Sequence, residues 1–98
     1  MYKTNMNILK DEENREESIQ KWKKKIVKHF KGDLYLIEDI AEHTETGENM
    51  VVYRALYGDC KLYVRPMNMF LEECTIENKK AYNQENRFER VFLESLKK

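Results

Sequence analysis

Four tyrosine and arginine side chains in the middle of this 98-residue chain have types and a spacing suited to binding. They alternate along two adjacent extended segments, which puts them on one sheet face: Tyr53, Tyr57, Tyr63 and Arg65. A tyrosine ring offers an apolar surface with a polar tip for a peptide or a nucleobase, and a guanidinium pairs with a carboxylate or phosphate. The pattern predicts a ligand-binding surface, with Tyr35 and His43 as neighbours. The alternative is that these tyrosines form the core of a small domain.

Arg54 has the opposite parity and is a further candidate binding residue. It alternates with Val52 and Leu56. If those two side chains face the core, Arg54 must lie at one end of the sheet or pair with an acid such as Glu38 or Asp39, because an unpaired buried charge is costly.

Catalytic chemistry is weakly indicated. His43 precedes a polar loop beside acidic residues, where an imidazole can act as a general base. No nucleophile with an adjacent base is legible, however, and Gly32, Gly47 and Gly58 each explain a turn, so none builds a phosphate-binding loop. We therefore expect no catalytic residue and a non-enzymatic protein. A small enzyme centred on His43 and Arg65 is the remaining alternative.

The other histidine and the cysteines indicate structural roles. His29 lies beside Phe30 and is expected to make a structural hydrogen bond. The two histidines and two cysteines have neither CxxC nor HxxxH spacing, which predicts no metal site and no cofactor. Cys60 and Cys74 are expected to be free thiols, since nothing else in the sequence indicates an oxidising compartment.

The elements that position these residues are short strands, predicted at 34–43, 50–57, 61–65 and 74–77. Glycine-containing turns separate them, and Gly47 is expected at positive φ. Pro66 ends the third strand because it has no N–H to donate. Residues 67–71 are predicted to form a helical turn that plugs one end of the sheet with Met67, Phe70 and Leu71.

Helices are predicted on both sides of the strands. Residues 11–28 begin acidic and end with lysines, which suits a helix dipole, and Ile19, Trp22 and Ile26 fall at helical spacing. Residues 84–97 repeat apolar side chains at the same period, including Phe88 and Phe92. Residues 1–10 are expected to be a loose arm.

The charge balance is zero overall but uneven along the chain. Residues 1–31 carry a net +4 and residues 32–66 a net −4. The basic residues suggest an alternative function, a nucleic-acid-associated module that uses a lysine-rich helix: Lys21, Trp22, Lys24, Lys25 and Lys28. Because the strand segment is acidic and would repel phosphates, a protein partner is favoured over nucleic acid.

These patterns predict one domain over residues 1–98, of the α+β class. Residues 29–80 are expected to curl into a small antiparallel β-barrel or meander, flanked by an N-terminal and a C-terminal α-helix. No stretch approaches the roughly 20 apolar residues of a membrane span, and no signal peptide is legible, so we expect a cytoplasmic protein without a membrane partner. A homodimer through the terminal helices, anchored by Trp22 or Phe92, is the alternative to docking of those helices within the chain.

At several ordered segments the chain resembles a bacterial and phage family known only as domain of unknown function 1653. The segments are His29-Phe-Lys-Gly32 with Leu34-Tyr35, His43-Thr-Glu-Thr-Gly47, Val51-Val-Tyr-Arg-Ala-Leu-Tyr-Gly58, Val64-Arg-Pro66, Met69-Phe-Leu-Glu72 and Arg87-Phe88. The resemblance covers roughly residues 28–90 and implies a compact SH3-like barrel. It implies no activity, cofactor or catalytic residue. This chain differs in its terminal extensions and in Tyr63, where a tryptophan is more typical.

Overall fold

Five short strands form one antiparallel sheet in the computed structural model, which describes residues 19–92. The strands are β1 (Ile26–His29), β2 (Leu34–Glu42), β3 (Asn49–Ala55), β4 (Leu62–Pro66) and β5 (Phe88–Arg90). Two short helices, α1 (Met67–Phe70) and α2 (Ile76–Tyr82), connect β4 to β5. The α+β class and the antiparallel sheet are as predicted.

The sheet order is β4-β3-β2-β1-β5, so the last strand returns to pair with the first. The hydrogen-bonded ladder is not closed between β4 and β5, and the predicted barrel is therefore not confirmed. A bulge at Glu38 interrupts the β2–β3 register, since Ile37 opposes Tyr53 while Asp39 opposes the adjacent Val52. No helix within residues 19–92 is long and apolar enough to cross a membrane.

One face of the sheet carries the core. Alternation along β3 buries Val51, Tyr53 and Ala55, while Val52 and Arg54 between them are only half-buried. Helix α1 covers this face with Met67 and Phe70, both buried, as predicted for the plug at one end of the sheet. The rest of the core cluster comes from outside β3 and α1: Ile19, Val27, Ile37 and Phe88.

The predicted helix over 11–28 is wrong at its C-terminal end. Within the described residues, 19–21 are helical, but Lys24 has φ 65° and its N–H donates to the Ile37 carbonyl of β2. The chain then continues as β1, where β-branched Val27 packs into the core between two neighbouring strands. Residues 11–18, like the predicted arm at 1–10, lie outside the described residues.

The predicted C-terminal helix over 84–97 is also wrong where the structure describes it. Asn83 ends α2 in the left-handed conformation, and residues 88–90 form β5. The strand is favoured over the helix, despite the helical spacing of the apolar residues, because pairing with β1 buries Phe88 to 4% exposure. Phe92 remains 71% exposed. Residues 93–97 lie outside the described part of the chain.

The predicted strand at 74–77 is absent as well. Glu73 makes an isolated bridge to Asn86, and the chain then enters α2 at Ile76. The Thr75 side chain accepts a hydrogen bond from the Asn78 N–H at 3.1 Å, which caps the helix start and favours helix over strand. The strand-bearing segment therefore extends beyond the predicted limits of 29–80 at both ends, to Ile26 and Arg90.

Candidate binding surface

Three adjacent strands bring tyrosines together on the core face of the sheet. Tyr53 on β3 lies directly opposite Tyr63 on β4, and Tyr35 on β2 lies opposite Ala55. The tyrosine cluster is Tyr35, Tyr53, Tyr57 and Tyr63. Tyr35 is its centre, with ring centroids 5.3 Å from Tyr53, 5.7 Å from Tyr57 and 6.4 Å from Tyr63. These side chains therefore lie on one face of the sheet, as their alternation in the sequence predicts.

Exposure divides the tyrosine cluster into an inner and an outer part. Tyr53 is 5% exposed and packs edge-on against Phe70 and Phe88, so it belongs to the core. Tyr57 is 44% exposed and Tyr63 is 40% exposed. The sequence left open whether these tyrosines form the core or a binding surface. Tyr53 is a core residue, whereas the outer rings, those of Tyr57 and Tyr63, are accessible.

Hydrogen bonds fix the orientation of the tyrosine hydroxyls. The Tyr35 and Tyr57 hydroxyl oxygens lie 2.9 Å apart. Burial raises the pKa of Tyr35, and the hydrogen bond to Tyr57 raises it further, so the hydroxyl keeps its proton. Arg65 Nε donates to the Tyr53 hydroxyl at 3.2 Å, which ties the guanidinium to the inner tyrosine.

Arg65 has no acidic partner within residues 19–92. Its Nε donates to the Tyr53 hydroxyl, and no ion pair occupies the two terminal nitrogens within these residues. Burial lowers the pKa of His29, and nearby Arg87, Arg65 and Lys31 lower it further, while Asp33 raises it. Among these cations, Arg87 is paired with Glu72 at 2.6 Å, whereas Arg65 has no such partner within the described residues.

His29, Arg87 and Phe88 were not predicted as neighbours of the tyrosine cluster. Phe88 lies opposite His29 in the β1–β5 ladder, with the two rings 5.1 Å apart, and it contacts Tyr35 at 5.7 Å. Three residues of β5 are too few to show a strand period, so no local pattern could have revealed this contact. The structural hydrogen bond predicted for His29 is confirmed, since its Nδ1 accepts the Lys31 N–H at 3.1 Å.

Arg54 does not join the tyrosine cluster. It lies on the opposite face, where its Nε donates to Glu38 Oε2 at 3.0 Å and one terminal nitrogen donates to the Cys60 carbonyl at 2.9 Å. The pairing with Glu38 is one of the arrangements that the sequence allowed. Lys24 holds the other Glu38 oxygen at 2.8 Å, and the hydrogen bonds from Lys24 and Arg54 lower the pKa of Glu38.

His43 is also separated from the cluster. It follows the far end of β2, about 26 Å along the strand from Tyr35. Its Nδ1 accepts the backbone N–H groups of Glu45 and Thr46 at 3.2 and 3.4 Å, and the chain then reverses at Gly47, where φ is 76° as predicted. The imidazole therefore caps a turn.

The lysine-rich segment does not form the predicted helical face. Trp22 is half-buried and packs against the core, while Lys24 is tied to Glu38. Lys25 follows the turn at Lys24, and Lys28 extends from β1. Of these lysines, only Lys21 lies in the helical residues 19–21. The basic side chains are therefore distributed over a helical turn, a tight turn and a strand.

Metal and thiol chemistry receive no support from the described geometry. No group of three or more histidine, cysteine or acidic side chains suitable for a metal ion occurs within residues 19–92. Cys60 is exposed and Cys74 is buried, and both are free thiols. Burial raises the pKa of Cys74, which disfavours the reactive thiolate.

Comparisons with known proteins agree with the architecture. The chain is similar to the crystal structure of a protein belonging to DUF1653 from Bordetella bronchiseptica, with 29% sequence identity and a TM-score of 0.58. The similarity covers 74% of this chain and 90% of the other. A comparison with curated proteins found no match. The family model described as "Protein of unknown function (DUF1653)" matches residues 25–90, which include all five strands, and the chain therefore belongs to this family.

Proposed function

We propose that this chain is a non-enzymatic binding module that engages a protein partner through the outer tyrosines and Arg65. The observation that carries the proposal is the guanidinium of Arg65, which has no acidic partner within residues 19–92 and donates to the Tyr53 hydroxyl. The Tyr53 ring lies 5.8 Å from the ring of the accessible Tyr63. A half-exposed tyrosine contributes apolar contact area at low entropic cost, and an oriented guanidinium adds a directional contact. Enzymatic activity is not part of this proposal.

The ligand is an extended protein segment with one carboxylate between apolar side chains. The carboxylate pairs with Arg65, and the apolar side chains lie on Tyr63 and Tyr57. One carboxylate suits this surface better than a long acidic run, because residues 32–66 carry a net charge of −4. The same negative charge disfavours nucleic acid at this site.

The proposal includes two finer features. The curled sheet is an SH3-like barrel in which Phe88 of β5 and Phe70 of α1 close the core face, as supported by their stacked rings 4.0 Å apart. The module acts in the cytoplasm, since the exposed free thiol of Cys60 is the state that a reducing compartment maintains. We propose that a single copy of the chain forms the complete binding surface, and a homodimer is the alternative.

A displayed library of random peptides, selected on the purified chain, tests the binding surface. We expect selected peptides that combine one acidic residue with apolar neighbours and that shift the amide NMR signals of Tyr57 and Tyr63. Arg65→Gln should weaken these peptides about tenfold or more, because a charge-assisted hydrogen bond is lost. Tyr63→Ala should weaken them as well.

Two variants control for nonspecific effects. Arg54→Gln removes an arginine from the opposite face, and Tyr82→Ala removes a tyrosine of 44% exposure from α2. Both should bind like the wild type. A selection that yields no binder, or peptides that bind Arg65→Gln and the wild type equally well, would contradict the proposal.

A further inference from the structure

A second basic site lies away from the tyrosine cluster, where the chain enters β1 and leaves β5. It is a cavity of about 240 Å³ lined by Lys24, Lys25, Ile26, Arg90, Val91 and Phe92. Three of its six lining residues are cationic and one is aromatic. This basic lining contrasts with the net charge of −4 on residues 32–66. The sequence did not predict the cavity, because Arg90 and Phe92 were expected in a helix.

Backbone hydrogen bonds fix the frame of this cavity. The Val91 N–H donates to the Ile26 carbonyl at 3.0 Å, which joins the end of β5 to the start of β1. On the other side, the left-handed Lys24 donates its N–H to Ile37, and Lys25 donates to the Trp22 carbonyl at 2.9 Å. The lining side chains therefore extend from ordered backbone.

The cations of the cavity differ in their partners. Lys24 is held by Glu38 at 2.8 Å, whereas neither Lys25 nor Arg90 forms an ion pair within residues 19–92. The Arg90 Nε atom is buried and has no hydrogen-bond partner among the described groups. A buried donor without a partner is unusual and costs free energy, so a ligand that accepts from Arg90 would gain from satisfying it.

Phe92 supplies a flat apolar surface beside these charges. The Arg90 guanidinium carbon lies 4.6 Å from the ring centroid, so the ring also fixes the direction of the guanidinium. Phe92 is nevertheless 71% exposed, which leaves ring surface available for stacking. Two unpaired cations match the double charge of a phosphate monoester, and an exposed aromatic ring suits a nucleobase.

We propose that this cavity binds a nucleoside monophosphate unit, with the phosphate on Lys25 and Arg90 and the base on Phe92. This proposal is independent of the protein-binding surface, because it uses different residues. The unit comes either from a free mononucleotide or from single-stranded nucleic acid, which share this chemistry. It does not require the lysine-rich helix that the structure excludes.

Titration with adenosine monophosphate tests the site directly. Trp22, the single tryptophan, provides a fluorescence signal close to the site, since its backbone carbonyl accepts the Lys25 N–H, and calorimetry provides a second readout. We expect saturable binding of adenosine monophosphate with a dissociation constant below about 1 mM. This binding should also be tighter than that of adenosine or inorganic phosphate alone. Phe92→Ala should remove the advantage of the nucleotide over phosphate. Binding weaker than this limit in both readouts would overturn the proposal.

Charge variants assign the phosphate contacts. Arg90→Gln and Lys25→Gln should each weaken adenosine monophosphate about tenfold, and Lys61→Gln, an exposed lysine elsewhere, should not. If Arg90→Gln does not fold by circular dichroism, Lys25→Glu provides the same test at an exposed position. Equal affinity of the wild type and the Lys25 variants would overturn the proposal.

A short oligothymidylate distinguishes the two sources of the unit. If single-stranded nucleic acid is the ligand, the oligonucleotide binds more tightly than the mononucleotide, and its affinity falls steeply with salt. If a free mononucleotide is the ligand, the oligonucleotide binds no more tightly, which limits the proposal to small molecules. Binding of the oligonucleotide that persists in Lys25→Glu would place it elsewhere and contradict the site.

Discussion

At the scale of single residues, Tyr53 connects the core with the proposed binding surface. Its ring is buried against Phe70 and Phe88, while its hydroxyl accepts the hydrogen bond from Arg65. The guanidinium is thus oriented by a residue that cannot move without disturbing the core. Preorganisation of this kind lowers the entropic cost of binding.

His29 makes the stability of the fold depend on pH. Its pKa is lowered from 6.5 by burial and by nearby cations, so the unfolded chain binds more protons in the interval between the lowered value and 6.5. Stability therefore rises with pH across this interval and is lost on acidification through it. Urea unfolding at several pH values should show that the stability of the wild type relative to His29→Gln falls as the pH drops below 6.5.

Glu38 and Asp39 have lowered pKa values and also lose their contribution to stability in acid. They titrate alike in the wild type and in His29→Gln, so the comparison of the two proteins isolates the histidine. A difference between them that stays constant from neutral pH down to the acid range would show that His29 titrates normally.

At the scale of elements, β2, β3 and β4 were predictable from the sequence, whereas the two shortest strands, β1 and β5, were not. β2 and β3 have nine and seven residues, enough for alternation to identify both the strand and its buried face. β1 and β5 have four and three, and each lies in a stretch whose apolar residues also fit a helix. Their pairing is decided by contacts between residues about 60 positions apart, such as Val27 with Arg90.

Because the β1–β5 pairing depends on residues far apart in the chain, only part of the candidate site could be predicted from the sequence. Parity on β3 and β4 placed Tyr53, Tyr63 and Arg65 on one face from sequence alone. The contact of this group with Phe88 depends on the β1–β5 pairing, and the position of His43 depends on the length of β2. Local patterns thus identify members of a surface, while distant pairing decides which members meet.

Helix α2 should depend on its cap. It has no buried residue, so the hydrogen bond from the Asn78 N–H to Thr75 is a main local stabiliser of its first turn. Thr75→Ala should destabilise the helix by about 1 kcal/mol and speed amide exchange in its first turns roughly fivefold. Hydrogen exchange followed by NMR measures this, and Thr75→Ser, which keeps the acceptor, should exchange like the wild type. Unchanged exchange in Thr75→Ala would show that the cap is dispensable.

At the scale of the whole molecule, one aromatic stack joins distant parts of the chain. Phe70 of α1 and Phe88 of β5, which lie on either side of α2 in the chain, stack with centroids 4.0 Å apart and planes 4° apart. Both rings are buried, and both contact Tyr53. The stack therefore holds the last strand to the rest of the core.

Phe88→Ala should destabilise the domain by about 3–5 kcal/mol, because it leaves a large cavity and removes the stack. That loss is a large share of the roughly 5–15 kcal/mol typical of a small domain. Urea unfolding measures it. Phe92→Ala, which truncates an exposed phenylalanine four residues later, should cost less than about 1 kcal/mol. Similar losses in the two variants would mean that β5 contributes little to the core.

The order of the strands also has a consequence for aggregation. Within residues 19–92, β4 and β5 each have a neighbouring strand on one side only, and they have five and three residues, while the longest strands are paired on both sides. β4 is the more exposed, with Leu62 at 51% and Val64 at 58%, and it ends at Pro66, which has no N–H to offer a neighbouring chain. Growth of the sheet from one molecule to the next is therefore limited to a few residues before the proline interrupts it.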